Sequence, residues 1–565
     1  MRRLLPALLL AACEGTISDV KPPVDPNGPF PVIEPKCDVI PAPGVTPLAK
    51  LSTLQYRNTV RDLLGTSGLA ALATELSTRL DAVPDDSDVS FRTLDNRVTD
   101  QHLTAWFEVA RGIGDSIEAT PARLTALAGS CAVAATLTPG CVNDFLNRFG
   151  RRALRRPLTA TELTELSAFN DGVRRPAEAI RAMVIALLMS PRFVSHVEID
   201  GAELGSARRL DLSPYELAAR LSYTYWQTLP DDALLDAAAD GSLATEAGYR
   251  AQVERVFADP RTKTTLWVFW REWLRLEKFT GFATTRPAFA ALAAGERLDY
   301  TQMVDEVHAL TDRYTFDAPG TFGDLVASDV SVTRSADLAK LYGTSVWNGA
   351  GEPPRFTNRK GLFQRAALLV DGLEQTNPFH RGAMTRRAFL CDSLPSPDPT
   401  TLPPGSLDPP PFNAMSTTRQ RFEAKVAGNT LCQGCHGSFS DLGYVLEQFD
   451  ALGRHRTKEK VFDEASGALL AELNLDTSAV AKVELGDLAV VSGPDDLTAK
   501  MISSGKPQRC FAKTFSTFAL RREPVIGTGE HCSTLKLGAR TLTMADVFRG
   551  LAYEPSFKER TVGEP

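Results

Sequence analysis

The sequence predicts a mainly α-helical, multi-domain protein with one small β-hairpin inserted near 462–494. Three observations carry that expectation. First, three helix starts have the capping-box pattern: Ser52-Thr-Leu-Gln55, Thr159-Ala-Thr-Glu162 and Ser213-Pro-Tyr-Glu216. In each, the hydroxyl can accept from an orphan backbone N–H while the Glu or Gln reaches back to the cap, and Pro214 takes the favoured first helical position. Second, apolar residues recur at helical spacing, as in Leu54/Val60/Leu63/Leu64 and Leu217/Leu221. Third, "ALLAELNLDTSAVAKVELGDLAVV" is rich in β-branched residues and turn signals but has little helical period, which marks the hairpin.

Taken in order, the chain opens on "MRRLLPALLLAAC": two arginines, a short apolar run, then small residues before Cys13. These are the parts of a secretory signal, and Leu-Ala-Ala-Cys resembles a bacterial lipobox, so 1–12 is expected to be a lipoprotein signal with Cys13 as the acylated residue. Residues 13–46 are rich in Pro, Gly and Asp without periodicity and read as a tether. The helical body is expected as segments 47–140, 141–205, 206–350, 351–495 and 496–565. Within the third, "LWVFWREWLRL" puts Leu266, Phe269, Trp270, Trp273 and Leu274 on one face, a stripe that predicts core packing. Ser393 to Phe412, "SLPSPDPTTLPPGSLDPPPF", cannot be a helix interior and reads as a linker or wrapped arm.

Composition sets limits on partners. The 565 residues are 43% hydrophobic with net charge −7, so there is no global electrostatic reason to hold nucleic acid or anionic lipid. The basic run "RRALRR" (Arg151 to Arg156) reads as a salt-bridged, solvated face, and no nucleic-acid partner is expected. After the N-terminus no stretch approaches bilayer-spanning length. Membrane contact is therefore expected through the lipid anchor alone, at the cell envelope, on the outer membrane or periplasmic face.

There are nine cysteines. With Cys13 lipidated and Cys432/Cys435 acting as a unit, an even set remains, and an exported chain permits disulfides. Close spacing suggests Cys131–Cys141 and Cys510–Cys532, leaving Cys37 and Cys391, although spacing alone does not determine connectivity.

Cys432, Cys435 and His436 stand at C-x-x-C-H spacing in "LCQGCHGSFSDLGYVLEQF". One reading is a single covalent haem c, with thioethers to Cys432 and Cys435 and His436 delivered to the iron as proximal ligand. A redox dithiol wants a strand-to-helix turn in an α/β unit, which does not surround Cys432. A zinc site needs four ligands, and there is no second C-x-x-C or paired His. Leu442, Val445, Leu446 and Phe449 then fall on one helical face that would cover a haem edge or pack in the core. For the sixth iron ligand Met501, Met415 and His380 are the candidates, with Met544 and His455 also available; for each one taken singly an ordinary structural role is favoured.

At larger scale the chain resembles the planctomycete-type cytochrome c multidomain family, exported lipoproteins built from adjacent domains of unknown function. The resemblance rests on "LSTLQYRNTVRDLLG" (51–65), "FLNRFGRRALRRPLTATEL" (145–163) with "ALLMSPRFVSHVEI" (186–199), "LSPYELAARLSYTYWQTLPDDALLDAAADGSL" (212–243), "RKGLFQRAALL" to "FLCDSLP" (359–395) with the cysteine motif, and "QRCFAKTFSTFALRR" (508–522). It implies an all-helical exported protein with a cytochrome-c-like segment and haem attachment at Cys432, Cys435 and His436. Two departures stand out: relatives often carry a histidine about six residues before the motif, where this chain has "EAKVAGNTL" with Lys425, and "DPLGF" where it has "SDLGY". Three functions are compatible. They are single-electron transfer with a redox partner protein, a peroxidase- or oxygenase-like haem enzyme acting on an extracellular polymer, and a non-redox envelope protein that binds a polysaccharide or partner and uses its cysteines as staples.

Overall fold

The computed structural model describes residues 37, 43–46, 48–87, 90–204, 209–394, 400, 402, 404–428, 430–484 and 486–562. Cys13, the expected signal and most of the expected tether lie outside the described residues. The body is mainly helical, and all three capping boxes form. Ser52 starts α1 (Thr53–Thr66) by accepting from the Gln55 N–H. Thr159 does the same for Glu162 ahead of the Ala160–Ser167 helix, and Ser213 for Glu216 ahead of the Pro214–Tyr225 helix.

Two hydrophobic cores organise these helices. The first is built by α1, α2 (Asp100–Ala119) and α3 (Pro176–Leu188), which bury Tyr56, Val60, Trp106, Val109, Ile180 and Met183. The "RRALRR" run lies at its edge. Arg151 pairs with Asp236, Arg152 with Asp232 and Arg156 with Glu162, at 2.6–2.9 Å. Arg155 alone turns inward, with φ +60°, and donates to the Tyr223 hydroxyl and the Ser195 carbonyl.

The second core takes α4 (Pro214–Tyr225), α5 (Pro260–Trp273), α6 (Pro378–Leu390), α9 (Ser440–Tyr444) and α10 (Lys506–Leu520), while α7 (Thr418–Ala427) packs on α6 and α8 (Thr430–His436) on α7, outside it. Its centre is aromatic: Trp270 stacks on Phe511 at 5.7 Å, and Phe511 on Phe322 at 4.8 Å. Leu266, Phe269, Trp270 and Leu274 are buried there as the stripe predicts. Leu442, Val445, Leu446 and Phe449 are fully buried in this core as well.

The sheets are small. β1 (Ala49–Lys50) pairs with β2 (Ser195–His196); β3 (Ala202–Leu204), β4 (Arg209–Asp211) and β7 (Glu559–Thr561) form one antiparallel sheet. The inserted hairpin is real but displaced. Its strands are β5 (Lys458–Phe462) and β6 (Leu469–Asn474), joined by a turn in which Asp463 accepts from the Ser466 N–H. The expected 475–494 part makes only the Ala479–Val491 bridge among the described residues. There Ala479, Ala481, Val483 and Val491 each drop into the core from extended chain, so the β-branched composition reflects burial and not strand pairing.

Cys131–Cys141 forms as the spacing suggests. The other proposed closures are corrected: Cys391 bonds Cys510, with Cα atoms 5.3 Å apart, and not Cys37. Packing of α6 against α10 brings together residues separated by 119 positions, which overrides the proximity of Cys510 and Cys532 along the chain. Cys37 and Cys532 are disulfide-bonded too. Among the described residues no helix is long and apolar enough to cross a membrane.

Candidate functional site

The cysteine motif occupies α8. What holds it is the segment that follows. α9 crosses α6 backbone to backbone at Gly382 and Gly443. A Cβ on Gly382 would lie 2.1 Å from the Phe439 carbonyl oxygen, and one on Gly443 would lie 1.8 Å from that of Pro378. Only glycine permits that approach. Beside it Arg386, fully buried on α6, donates to the carbonyls of Ser438 and Lys482 and to the Asp392 carboxylate. A buried guanidinium is tolerated because its donors are matched by acceptors. The chain just past His436 is thereby fixed to α6 from two directions.

α8 faces a cavity of about 1620 Å³, larger than the ~300–1,000 Å³ of most small-molecule sites. Cys432 and His436, one helical turn apart, line it together. α6 contributes Phe379, His380 and Met384, and α7 contributes Phe422 and Lys425. The described part of the proline-rich arm, Ser406 to Pro410, lines it as well. Lys425 Nζ donates to the carbonyls of Gly405 and Asp408 and so ties the arm to α7. The cavity continues to Glu272 and Trp273 at the end of α5 and to Phe279 and Tyr300.

His436 is tightly framed. Its Nδ1 is 3.1 Å from Ser440 Oγ, and its ring lies 4.0 Å from that of Phe379 and 4.8 Å from that of Phe439, centroid to centroid. Burial, helped by the Lys425 charge, lowers its pKa and favours the neutral imidazole a metal needs. With Nδ1 engaged by Ser440, Nε2 is the nitrogen left for a ligand bond. Cys432 and Cys435 are outside the disulfides, and Cys435, three residues after Cys432, is exposed. Two thiols and an oriented imidazole lie within five residues of one helix; Cys432 and His436 line the cavity and Cys435 stands exposed beside it, an arrangement whose residue types fit a covalently attached haem. Among the described residues no group of three or more His, Cys, Asp or Glu side chains could hold a metal ion.

Several expected roles change. Met501 is fully buried in the second core and Met415 is 75% exposed; neither lines the cavity. Met544 is core as well, and His455 is held by Gln448. His380 does line the cavity, but its side chain is 66% exposed and its Nδ1 lies 3.5 Å from Asp371. Leu442, Val445, Leu446 and Phe449 do not line the cavity, because the α6–α9 crossing turns that face into the core. Sequence reasoning missed Phe379, Phe422, Met384 and Ser440. Phe379 and Met384 belong to a helix about fifty positions upstream, beyond any local spacing rule. Ser440, four residues after His436, was the one with a local signal, since i,i+4 side chains share a helix face. Trp273 and Leu274 join the wall while Leu266, Phe269 and Trp270 stay in the core.

Three family models match in succession: PSD5, a protein of unknown function (DUF1595), over 141–198; PSD4, a protein of unknown function (DUF1592), over 212–344; and PSCyt3, a protein of unknown function (DUF1588), over 359–459. The chain belongs to the planctomycete-type cytochrome c multidomain family. The family's PSCyt3 segment contains the whole motif end of the cavity, from Phe379 through Cys432 and His436 to Ser440. Its name is cytochrome-like and its description assigns no activity. No curated protein and no solved structure matches the chain.

Proposed function

We propose that this chain is an exported, lipid-anchored c-type haem protein that passes single electrons at the cell envelope. The observation that carries the reading is that Cys432 and His436 share the wall of one large cavity while Ser440 engages His436 Nδ1. A haem bound there supplies a one-electron iron couple. The Cys432 and Cys435 thiols would each add across a vinyl group, with the sulfur bonding one carbon and the proton going to the other. His436 Nε2 would be the proximal ligand, with Nδ1 engaged by the Ser440 hydroxyl and the ring flanked by Phe379 and Phe439. Because Cys435 is exposed, a group joined to both thiols has an edge near the surface, where a redox partner protein can reach it. Cys13 would carry the acyl chains, and the proline-rich tether would let the body stand off the membrane.

One observation favours an enzyme as the second reading. The cavity extends past the motif to Glu272, whose carboxyl is pushed up to about 7 by burial against the pull of Arg92, which suits a proton-transfer group at neutral pH. Production of the chain without residues 1–12, in a host that matures c-type haem, tests the reading. A pyridine haemochrome should report one covalent haem per chain, and no covalent haem would overturn both readings. Iron that is six-coordinate and low-spin favours the electron carrier. High-spin iron that binds carbon monoxide favours the enzyme.

A further inference from the structure

We infer that Glu447 is a proton-holding site one hydrogen bond behind the cavity wall, which takes up a proton when an electron enters the cavity; the electron half of the inference rests on the haem reading. Glu447 lies in the turn Val445–Gln448 after α9 and is 1% exposed. Thr376 lines the cavity, and its hydroxyl donates to Glu447 Oε2 at 2.7 Å. Arg456 donates to the same oxygen at 2.9 Å and lies 3.8 Å from Glu459. Arg456 and Glu459 line a separate hollow of about 10 Å³, room for one water. The buried carboxyl is thus linked through Thr376 to the large cavity and through Arg456 to a second, small one.

Its other oxygen is left over. Glu447 Oε1 has no hydrogen-bond donor among the described residues. Arg381 Nη1 lies 3.7 Å away, but Arg381 aims its donors at the carbonyls of Leu369, Leu446, Phe449 and Asp450. A buried carboxylate oxygen without a donor is costly, and a proton on the carboxyl removes the charge. The charged groups that face Glu447 are Arg381 of α6, Arg456, and Glu459 of β5. Behind them Asp371 pairs with Arg381, and Arg421 of α7 pairs with Glu459. The helix Pro494–Ser504 packs on the same turn, but its Asp495 and Asp496 are exposed and held by Lys360 and the Ser492 N–H. Asp441 of α9 is set by Lys482 and Arg419 instead. Burial pushes the Glu447 carboxyl up, against the pull of Arg456 and Arg381, and Glu459 adds to the rise.

The step balances in charge. One electron arrives from the redox partner protein and one proton from water. The Thr376 hydroxyl gives its proton to Glu447 and takes one from the cavity. A negative charge added in the cavity tightens the hold of Glu447 on its proton, and by linkage the proton favours the electron by the same factor.

The test uses the full chain matured in a c-haem-competent host, by infrared titration and by redox titration. The infrared difference between wild type and Glu447→Gln should show one protonated carboxyl that persists above the ordinary glutamate range. Thr376→Val removes a donor to the charged form, so that carboxyl should lose its proton at higher pH than in wild type, whereas Thr376→Ser should match wild type. The midpoint potential of the wild type should fall with rising pH across the same window, by up to about 59 mV per pH unit, the equivalent of a tenfold change. In Glu447→Gln it should be flat there, and in Thr376→Val the fall should move to higher pH. No carboxyl band above the ordinary range, or a band unmoved in Thr376→Val, overturns the proton site. A wild-type potential that is flat in pH overturns the coupling. A wild type with no covalent haem overturns the haem reading and the coupling with it, while the infrared titration of the same chain still decides the proton site.

Discussion

At the scale of single residues, Ser440 and Glu272 do different work: Ser440 holds His436, which lines the cavity, and Glu272 lines it directly. Ser440 settles which nitrogen His436 offers, through one hydrogen bond within a helical turn. Glu272 has a titration that reaches the stability of the fold. Its folded pKa, about 7, lies above the ordinary 4.5 because it is buried. The native state therefore holds a proton that the unfolded chain has released. Stability is highest below about pH 4.5 and is lost as pH rises toward 7, by about 3 kcal/mol in all. Glu272→Gln keeps an oxygen for the Arg92 N–H and removes the charge. Urea unfolding should show the variant gaining about 1–3 kcal/mol on wild type between pH 5 and pH 8. A difference that is flat across that interval would show that Glu272 ionises freely.

At the scale of elements, the site depends on how α6 meets α9. Gly382→Ala and Gly443→Ala each put a methyl group into a carbonyl oxygen on the opposite helix. Each should cost about 3 kcal/mol or more, read as a lower urea midpoint, and should reduce haem uptake; a wild-type midpoint would mean the crossing adjusts freely. The elements themselves were legible from the sequence where local chemistry decides them. Ser52, Thr159 and Ser213 cap their helices as their neighbours three residues on require, and the tryptophan stripe packs inward. Legibility failed where composition had two meanings. The β-branched residues of 475–494 suit a strand, yet Ala479, Val483 and Val491 reach the core singly from extended chain. The Leu442–Phe449 face had the right period and two possible neighbours, a haem edge or the core; it packs in the core, through an α6 contact that comes from distant sequence.

At the scale of the molecule, the disulfides show which parts of the chain must be found by folding. Cys131–Cys141 spans ten positions and could be read from spacing. Cys391–Cys510 spans 119, ties the end of α6 to α10, and could not. In the chain-entropy account the longer closure stabilises more. Replacing Cys391 and Cys510 together by Ser should cost about 2 kcal/mol more than replacing Cys131 and Cys141. Equal losses would point to strain or to residual order in the unfolded chain. The same long-range logic governs the cavity. Its motif was visible in the sequence as Cys432, Cys435 and His436, whereas α5, α6, α7 and the arm that wall it converge only in the fold.

The central claim is that the cavity is built around a haem joined to this chain. The most direct test is a denaturing mass measurement paired with a pyridine haemochrome on protein matured in a c-haem-competent host. The claim predicts the mass of one haem retained by the unfolded wild type, retention through a single thioether in Cys432→Ala or Cys435→Ala, and complete loss in the double variant. A wild-type chain that unfolds at its apo mass, with both motif thiols open to alkylation, would contradict it.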